Sequence, residues 1–191
     1  MNTSKSRENL RALVEAALLL AVGFGLSYIK LFKLHPYAGS VTLLSMLPIL
    51  IIGLRHGLKW GLYGALAYSG LQMLQGISPP PSAAFSAFLA VVFLDYIGAF
   101  TVLGLSGLFK NRRYGIVYGV LLCLPLRFLC HFISGIVIWG VYAPEDTFVW
   151  LYSLIVNGAY MGPELVFTLI GAILLLKTAP LIPSLPHDKS E

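Results

Sequence analysis

The sequence predicts an all-α integral membrane bundle of six transmembrane helices with both termini cytoplasmic. Three observations carry that prediction. The 191-residue chain is 58% hydrophobic and only 11% charged, with a mean hydropathy of +0.83, whereas a soluble domain carries about 25% charged residues. Apolar runs of about 20 residues recur between short polar breaks, each long enough to cross a hydrocarbon core of about 30 Å at about 1.5 Å per residue, and backbone in lipid must satisfy itself within the segment. Finally, the basic residues fall in alternate connections, as the positive-inside bias requires.

The spans are placed near residues 10–29, 41–54, 57–77, 84–109, 114–139 and 148–177. The polar start "MNTSKSRENLR" leads into the first span without a small-residue cleavage site, so that helix is expected to stay in the protein. The second span is short, and the "LRHG" break after it reads as a tight turn or a kink. One side of the membrane collects Lys5, Arg7, Arg11, Arg55, Lys59, Lys110, Arg112, Arg113, Lys177 and Lys189, and the other only Lys30 and Lys33. The external connections are then 30–40, "GISPPPSA" and "GVYAPEDTF". No tandem repeat or soluble domain is evident. Residues 1–180 form one membrane domain, and 181–191 are expected to be a disordered cytoplasmic tail.

Composition also excludes function classes. The net charge of +5 is accounted for by topology, which argues against nucleic acid as a partner and leaves the lipid bilayer as the surrounding medium. Cys123 and Cys130 lie seven residues apart inside one apolar run and read as packing residues rather than a disulfide or metal pair. There is no P-loop, HExxH pair or GxSxG turn, so neither an enzyme nor a cofactor is expected. A chain this small without an energy source binds a solute or depends on partners to move it.

Ionisable groups inside a membrane are functional candidates, because a charge at the bilayer centre costs at least about 2.5–3.5 kcal/mol on insertion scales. Four stand out: Asp95, Arg127, His131 and Glu164. Counted from the external helix ends, Asp95, His131 and Asn157 lie about 16, 12 and 14 Å deep at the helical rise. Three spans thus bring polar groups to one level of the outer leaflet. Above them stand Tyr96, Trp139, Tyr142, Trp150 and Tyr152, an aromatic collar around a pocket that opens outward, although Trp150 fits an interfacial belt better. A carboxylate facing aromatic rings suits an organic cation or an aminopyrimidine. Arg127, one turn deeper than His131, is read as the counter-charge of Asp95 or Glu164, and Glu164, placed towards the cytoplasmic half, as a structural pair. Small residues recur at Ala17, Ala21 and Gly25, a flat stripe for packing inside the bundle or for a partner, whereas Gly57, Gly61 and Gly64 read as internal packing.

Three segments carry a family resemblance: "GSVTLLSMLPILIIGLRHGLKWGLYGALAYSGLQ" (39–72), "LDYIGAF" followed by "GLSGLF", and "RFLCHFISGIVIWGVYAPEDTFVWLYSLIVNGAYMGPE" (127–164). Together they resemble the thiamine-specific substrate-binding (S) components of energy-coupling factor (ECF) vitamin transporters. The resemblance implies a six-helix bundle with a thiamine pocket near the extracellular side, covered by the first external loop. It places the pocket acid at Asp95, beside Tyr96, and the pocket histidine at His131. Trp139, Tyr152 and Asn157 match the remaining pocket positions; Tyr142, from the aromatic collar, is read as the rim. Asp95 stands where some members have Glu. Where some carry a Trp in the first external loop, only Tyr37 and His35 are available, and at the start of the fourth span only Phe85. The resemblance also implies partners: an ECF module of a membrane coupling protein and two cytoplasmic ATPases, docking on the Ala17, Ala21 and Gly25 stripe, in the cell membrane of a prokaryote. The rival readings are an S component for a thiamine precursor or related heterocycle, a small intramembrane enzyme using His131 and Asp95 as acid and base, and a purely structural subunit.

Overall fold

The computed structural model describes residues 3–32 and 39–178. Six helices follow in the predicted order: α1 (Thr3–Ser27), α2 (Leu47–His56), α3 (Leu58–Leu74), α4 (Phe85–Phe109), α5 (Gly115–Val137) and α6 (Val149–Thr178). Four of them, Lys5–Ser27 within α1 together with α4, α5 and α6, are long and apolar enough to cross a membrane. The expected lid residues Tyr37 and His35 and the tail 181–191 lie outside the described residues.

One departure from an all-helical chain lies in the second span. Its first residues form a strand, β2 (Val41–Thr42), which pairs antiparallel with β1 (Lys30–Phe32), and the helix begins only at Leu47. An apolar run as short as "VTLLSML" does not distinguish strand from helix by periodicity. The connection turns through Leu44, whose φ of 57° is rare for a residue with a side chain, and Pro48 then occupies the first turn of α2, where its missing N–H costs nothing.

α2 is apolar on all sides because it is enclosed on all sides: Leu47, Ile49, Leu50, Ile52 and Leu54 are all buried. Glycines let its neighbours close on it. A Cβ on Gly61 of α3 would lie 2.5 Å from the Gly104 carbonyl oxygen of α4 and 2.8 Å from Cα of Gly53 in α2, so three backbones meet where no side chain fits. Ser106 of α4 then donates to the Leu50 carbonyl at 2.9 Å. Gly61 and Gly64 are therefore packing glycines, but Gly57 is not. It forms the α2–α3 turn at φ 91°, where only Lys110 approaches the Cβ position, so it serves the turn instead. Cys123 is a free, fully buried core residue and Cys130 is free and half-buried.

Sequence reading also passed over one ionisable group. Glu15 of α1 contacts Arg55 Nε at 2.6 Å and His56 Nε2 at 2.9 Å, pinning α1 to the end of α2. Arg55 is thus a structural contact as well as a topological signal.

Candidate binding cavity

The middle of α4 is not a regular α-helix. Residues Val92–Gly98 form a π-helical segment, and the chain then tightens into a 3₁₀ stretch over Val102–Phe109. A π turn admits an extra residue and redirects the side chains around it, a device that recurs at functional sites. Here it carries Asp95 and Tyr96.

Asp95 is the centre of a hydrogen-bond network. Its Oδ2 accepts from Ser134 Oγ at 2.6 Å and from the Trp139 indole Nε1 at 3.0 Å, and its Oδ1 lies 2.9 Å from His131 Nδ1. Ser134 and Trp139 both donate to the carboxylate, and the His131 contact completes the same pattern when the imidazole proton is placed on Nδ1. The proton on His131 is then assigned to Nδ1, which leaves Nε2 as an acceptor with no partner among the described residues. The π segment supplies the acid, α5 the imidazole and hydroxyl, and the 3₁₀ turn Trp139–Tyr142 the indole.

Asn157 holds this arrangement from behind. Its Nδ2 donates to the His131 carbonyl at 3.2 Å and to the Ser153 carbonyl at 3.0 Å, while its Oδ1 accepts from Tyr160 Oη at 3.2 Å. Gly135 makes the approach of α6 possible: a Cβ there would collide with Ser153 Oγ, which instead donates to the Phe132 carbonyl at 2.7 Å. Tyr160, buried and edge-on to His131 at 6.0 Å, completes that wall.

These groups line one cavity of about 320 Å³. Asp95, Tyr96, His131, Trp139, Tyr152 and Asn157 all reach it, as do Ser153, Tyr160, Gln72, Gln75 and Arg127. Tyr96 also ties down the connection between α3 and α4, donating to the Gly76 carbonyl at 3.0 Å and accepting from Ser78 N–H at 3.1 Å. Tyr142 is stacked on Trp139 at 6.4 Å and 19°, backing the indole instead of lining the cavity. Trp150 is exposed and stacks on Phe148, as a belt residue does. Phe85 is 73% exposed and plays no part in the wall. Ser134, Tyr160, Gln72 and Gln75 were not foreseen. The first two lie at helical spacing from residues that were, three beyond His131 and three beyond Asn157.

The structure makes two expectations specific. Glu164, midway along α6, meets the β1–β2 ribbon: its oxygens accept from Thr42 N–H and from Thr42 Oγ1, both at 2.7 Å. The ribbon dips far enough into the bundle to meet a residue midway along α6, so Glu164 is structural, but its partner is Thr42. Arg127, for its part, makes no ion pair with Asp95 or Glu164 within 4.0 Å among the described residues; its guanidinium lies over the Phe100 ring, 4.0 Å from the centroid. Both carboxylates already have other donors.

A helical membrane bundle with an enclosed acid, imidazole and indole around a solute-sized cavity defines a membrane-embedded solute-binding protein. The comparisons with known proteins say which. The family model described as "Thiamine transporter protein (Thia_YuaJ)" matches residues 13–183, and the chain belongs to that family. It is 34% identical over 204 residues to the thiamine transporter ThiT of Bacillus subtilis (strain 168), covering all of both chains. It is 29% identical over 194 residues to the thiamine transporter ThiT of Lacticaseibacillus paracasei, covering 92% of each. Among solved structures it resembles ThiT from Listeria monocytogenes, with a TM-score of 0.72 and 25% identity over 92% of this chain and 100% of that one. Both relatives are named as transporters, not enzymes, and the chain is a multi-pass membrane protein of the bacterial kind.

Proposed function

We propose that this chain is the substrate-binding component of an ECF-type transporter, which takes extracellular thiamine into the cavity around Asp95 and hands it on through a shared ATP-driven module. The observation that carries the reading is the Asp95 carboxylate, oriented by Ser134, Trp139 and the nearby His131 at a wall rich in aromatic rings. Thiamine joins a thiazolium cation to an aminopyrimidine. An ionised carboxylate can meet the positive charge or the amino group, and the Trp139, Tyr152 and Tyr160 rings offer faces to both heterocycles. Trp139 has its N–H turned to Asp95, so an indole face remains for stacking.

Docking of the coupling protein is assigned to α1. Ala17, Ala21 and Gly25 are exposed, and a Cβ on Gly25 would meet nothing within 4 Å, whereas Ala12 and Ala16 on the opposite face are buried. That division supports the stripe as an outer surface rather than as packing inside the bundle. The positive-inside bias then sets both termini, and the ATPases, on the cytoplasmic side.

Equilibrium binding of thiamine and of its isolated aminopyrimidine half to detergent-purified protein tests the reading. Thiamine is expected to bind at least about 100-fold more tightly, because only it adds the cation to the stacking and hydrogen bonds. Equal affinities would instead identify a transporter for the precursor.

A further inference from the structure

Among the described residues, Arg127 is the buried charged group of the cavity that the reading above leaves without a task. It is 8% exposed, lines the cavity from α5, and rests its guanidinium on Phe100. Its Nε and Nη1 have no hydrogen-bond partner among the described residues. A buried charge with no ion pair and two unpartnered nitrogens is costly, and a native structure that keeps one calls for an explanation.

Its surroundings supply the explanation. Asp95 and Glu164 are both largely buried, and each receives only donated hydrogen bonds, from His131, Ser134 and Trp139 in one case and from Thr42 in the other. With His131 neutral, two buried carboxylates against one buried guanidinium leave one net negative charge. Lys30 also touches the cavity, but it is exposed and its charge is screened by solvent. In a low-dielectric interior a full charge acts across the whole cavity without touching its opposite. We infer that Arg127 is a specificity residue that sets the cavity's charge preference: by cancelling one carboxylate at a distance, it matches the site to a singly charged cation. This rests on the thiamine reading and adds to it. Dications are discriminated against, and the free face of the guanidinium need not contact the solute.

The test uses three ligands of one shape: thiamine, a neutral isostere in which carbon replaces the thiazolium nitrogen, and a dication in which an ammonium replaces the hydroxyl of the side chain. Unaltered protein should bind thiamine most tightly and the dication at least about tenfold more weakly than thiamine. In Arg127→Met the preference for thiamine over the neutral isostere should rise about tenfold, the effect of removing a unit charge at about 12 Å in a medium of effective dielectric constant about 20. The dication should gain over thiamine by a similar factor. Arg127→Lys, which keeps the charge, should restore the original ratios. Ratios unchanged in Arg127→Met would overturn the inference, because a merely structural arginine would weaken all three ligands alike. Should that variant not fold, the dication in unaltered protein decides: binding as tight as thiamine refutes the charge setting. If unaltered protein binds no thiamine at all, the functional reading itself fails, and the inference falls with it.

Discussion

Asp95→Asn is expected to weaken thiamine binding about 100-fold while leaving the protein folded. The substitution keeps the shape of the side chain and removes its charge. Two losses combine. The thiamine cation loses its buried counter-charge, and the amide nitrogen of Asn would face at least one donor among Ser134 Oγ, Trp139 Nε1 and His131 Nδ1, all of which now point at carboxylate oxygens. A hydrogen bond to a charged group contributes about 1.5–3 kcal/mol, which together with the lost ion attraction corresponds to a factor of about 100. Calorimetric titration reads the affinity, and size-exclusion behaviour and circular dichroism report the fold. Affinity within about threefold of the unaltered protein would place the solute elsewhere.

The second large effect concerns transport, not binding. Ala17→Trp and Ala21→Trp should each reduce thiamine uptake by cells at least about tenfold, with thiamine affinity of the purified protein changed less than about twofold. Both residues are exposed on α1, in a face whose Leu13, Val14, Leu18 and Val22 are each more than half exposed. Helices in lipid associate by close backbone approach at small residues, and an indole at either position holds a partner helix away. The cavity lies on the other side of the bundle wall, against Ser27, Gln72 and the π segment, so occupancy should not notice the change. Normal uptake by both variants would remove α1 as the docking surface; loss of solute binding would return the stripe to internal packing.

The helices were legible because the bilayer enforces a length and an apolar composition that the sequence cannot hide. Asp95 and His131 were legible for the same reason, since a polar residue deep in an apolar run stands out and its depth can be counted. Their direct contact, with Ser134 and Trp139 donating to the same carboxylate, was not, because it depends on the π segment at Val92–Gly98, which changes the angular position of Asp95 without altering the composition of the span. Asn157 was found by depth as well, but its amide proves to be engaged with His131, Ser153 and Tyr160, so it supports the cavity wall through its neighbours. The β1–β2 ribbon escaped notice because Val41 and Thr42 sit in an apolar run that suits either strand or helix. Its anchor depends on Glu164, a residue 122 positions away. Glu164 therefore looked like half of an ion pair with Arg127, when a backbone N–H and a hydroxyl satisfy it instead. Charge pairing read from sequence assumes that opposite buried charges touch. Here the carboxylates have other donors, and the guanidinium rests on Phe100.

The central claim is that the cavity walled by Trp139 binds thiamine, and intrinsic tryptophan fluorescence tests it most directly. The chain has three tryptophans. Trp60 packs against His56 near the end of α2 and Trp150 stacks on Phe148 at the surface, which leaves Trp139 alone of the three on the cavity wall. Titration of the purified protein with thiamine is predicted to quench part of the emission saturably, and the quenched component should disappear in Trp139→Phe. A saturable quench that persists in Trp139→Phe, or no saturable change with thiamine in the unaltered protein, would contradict the account.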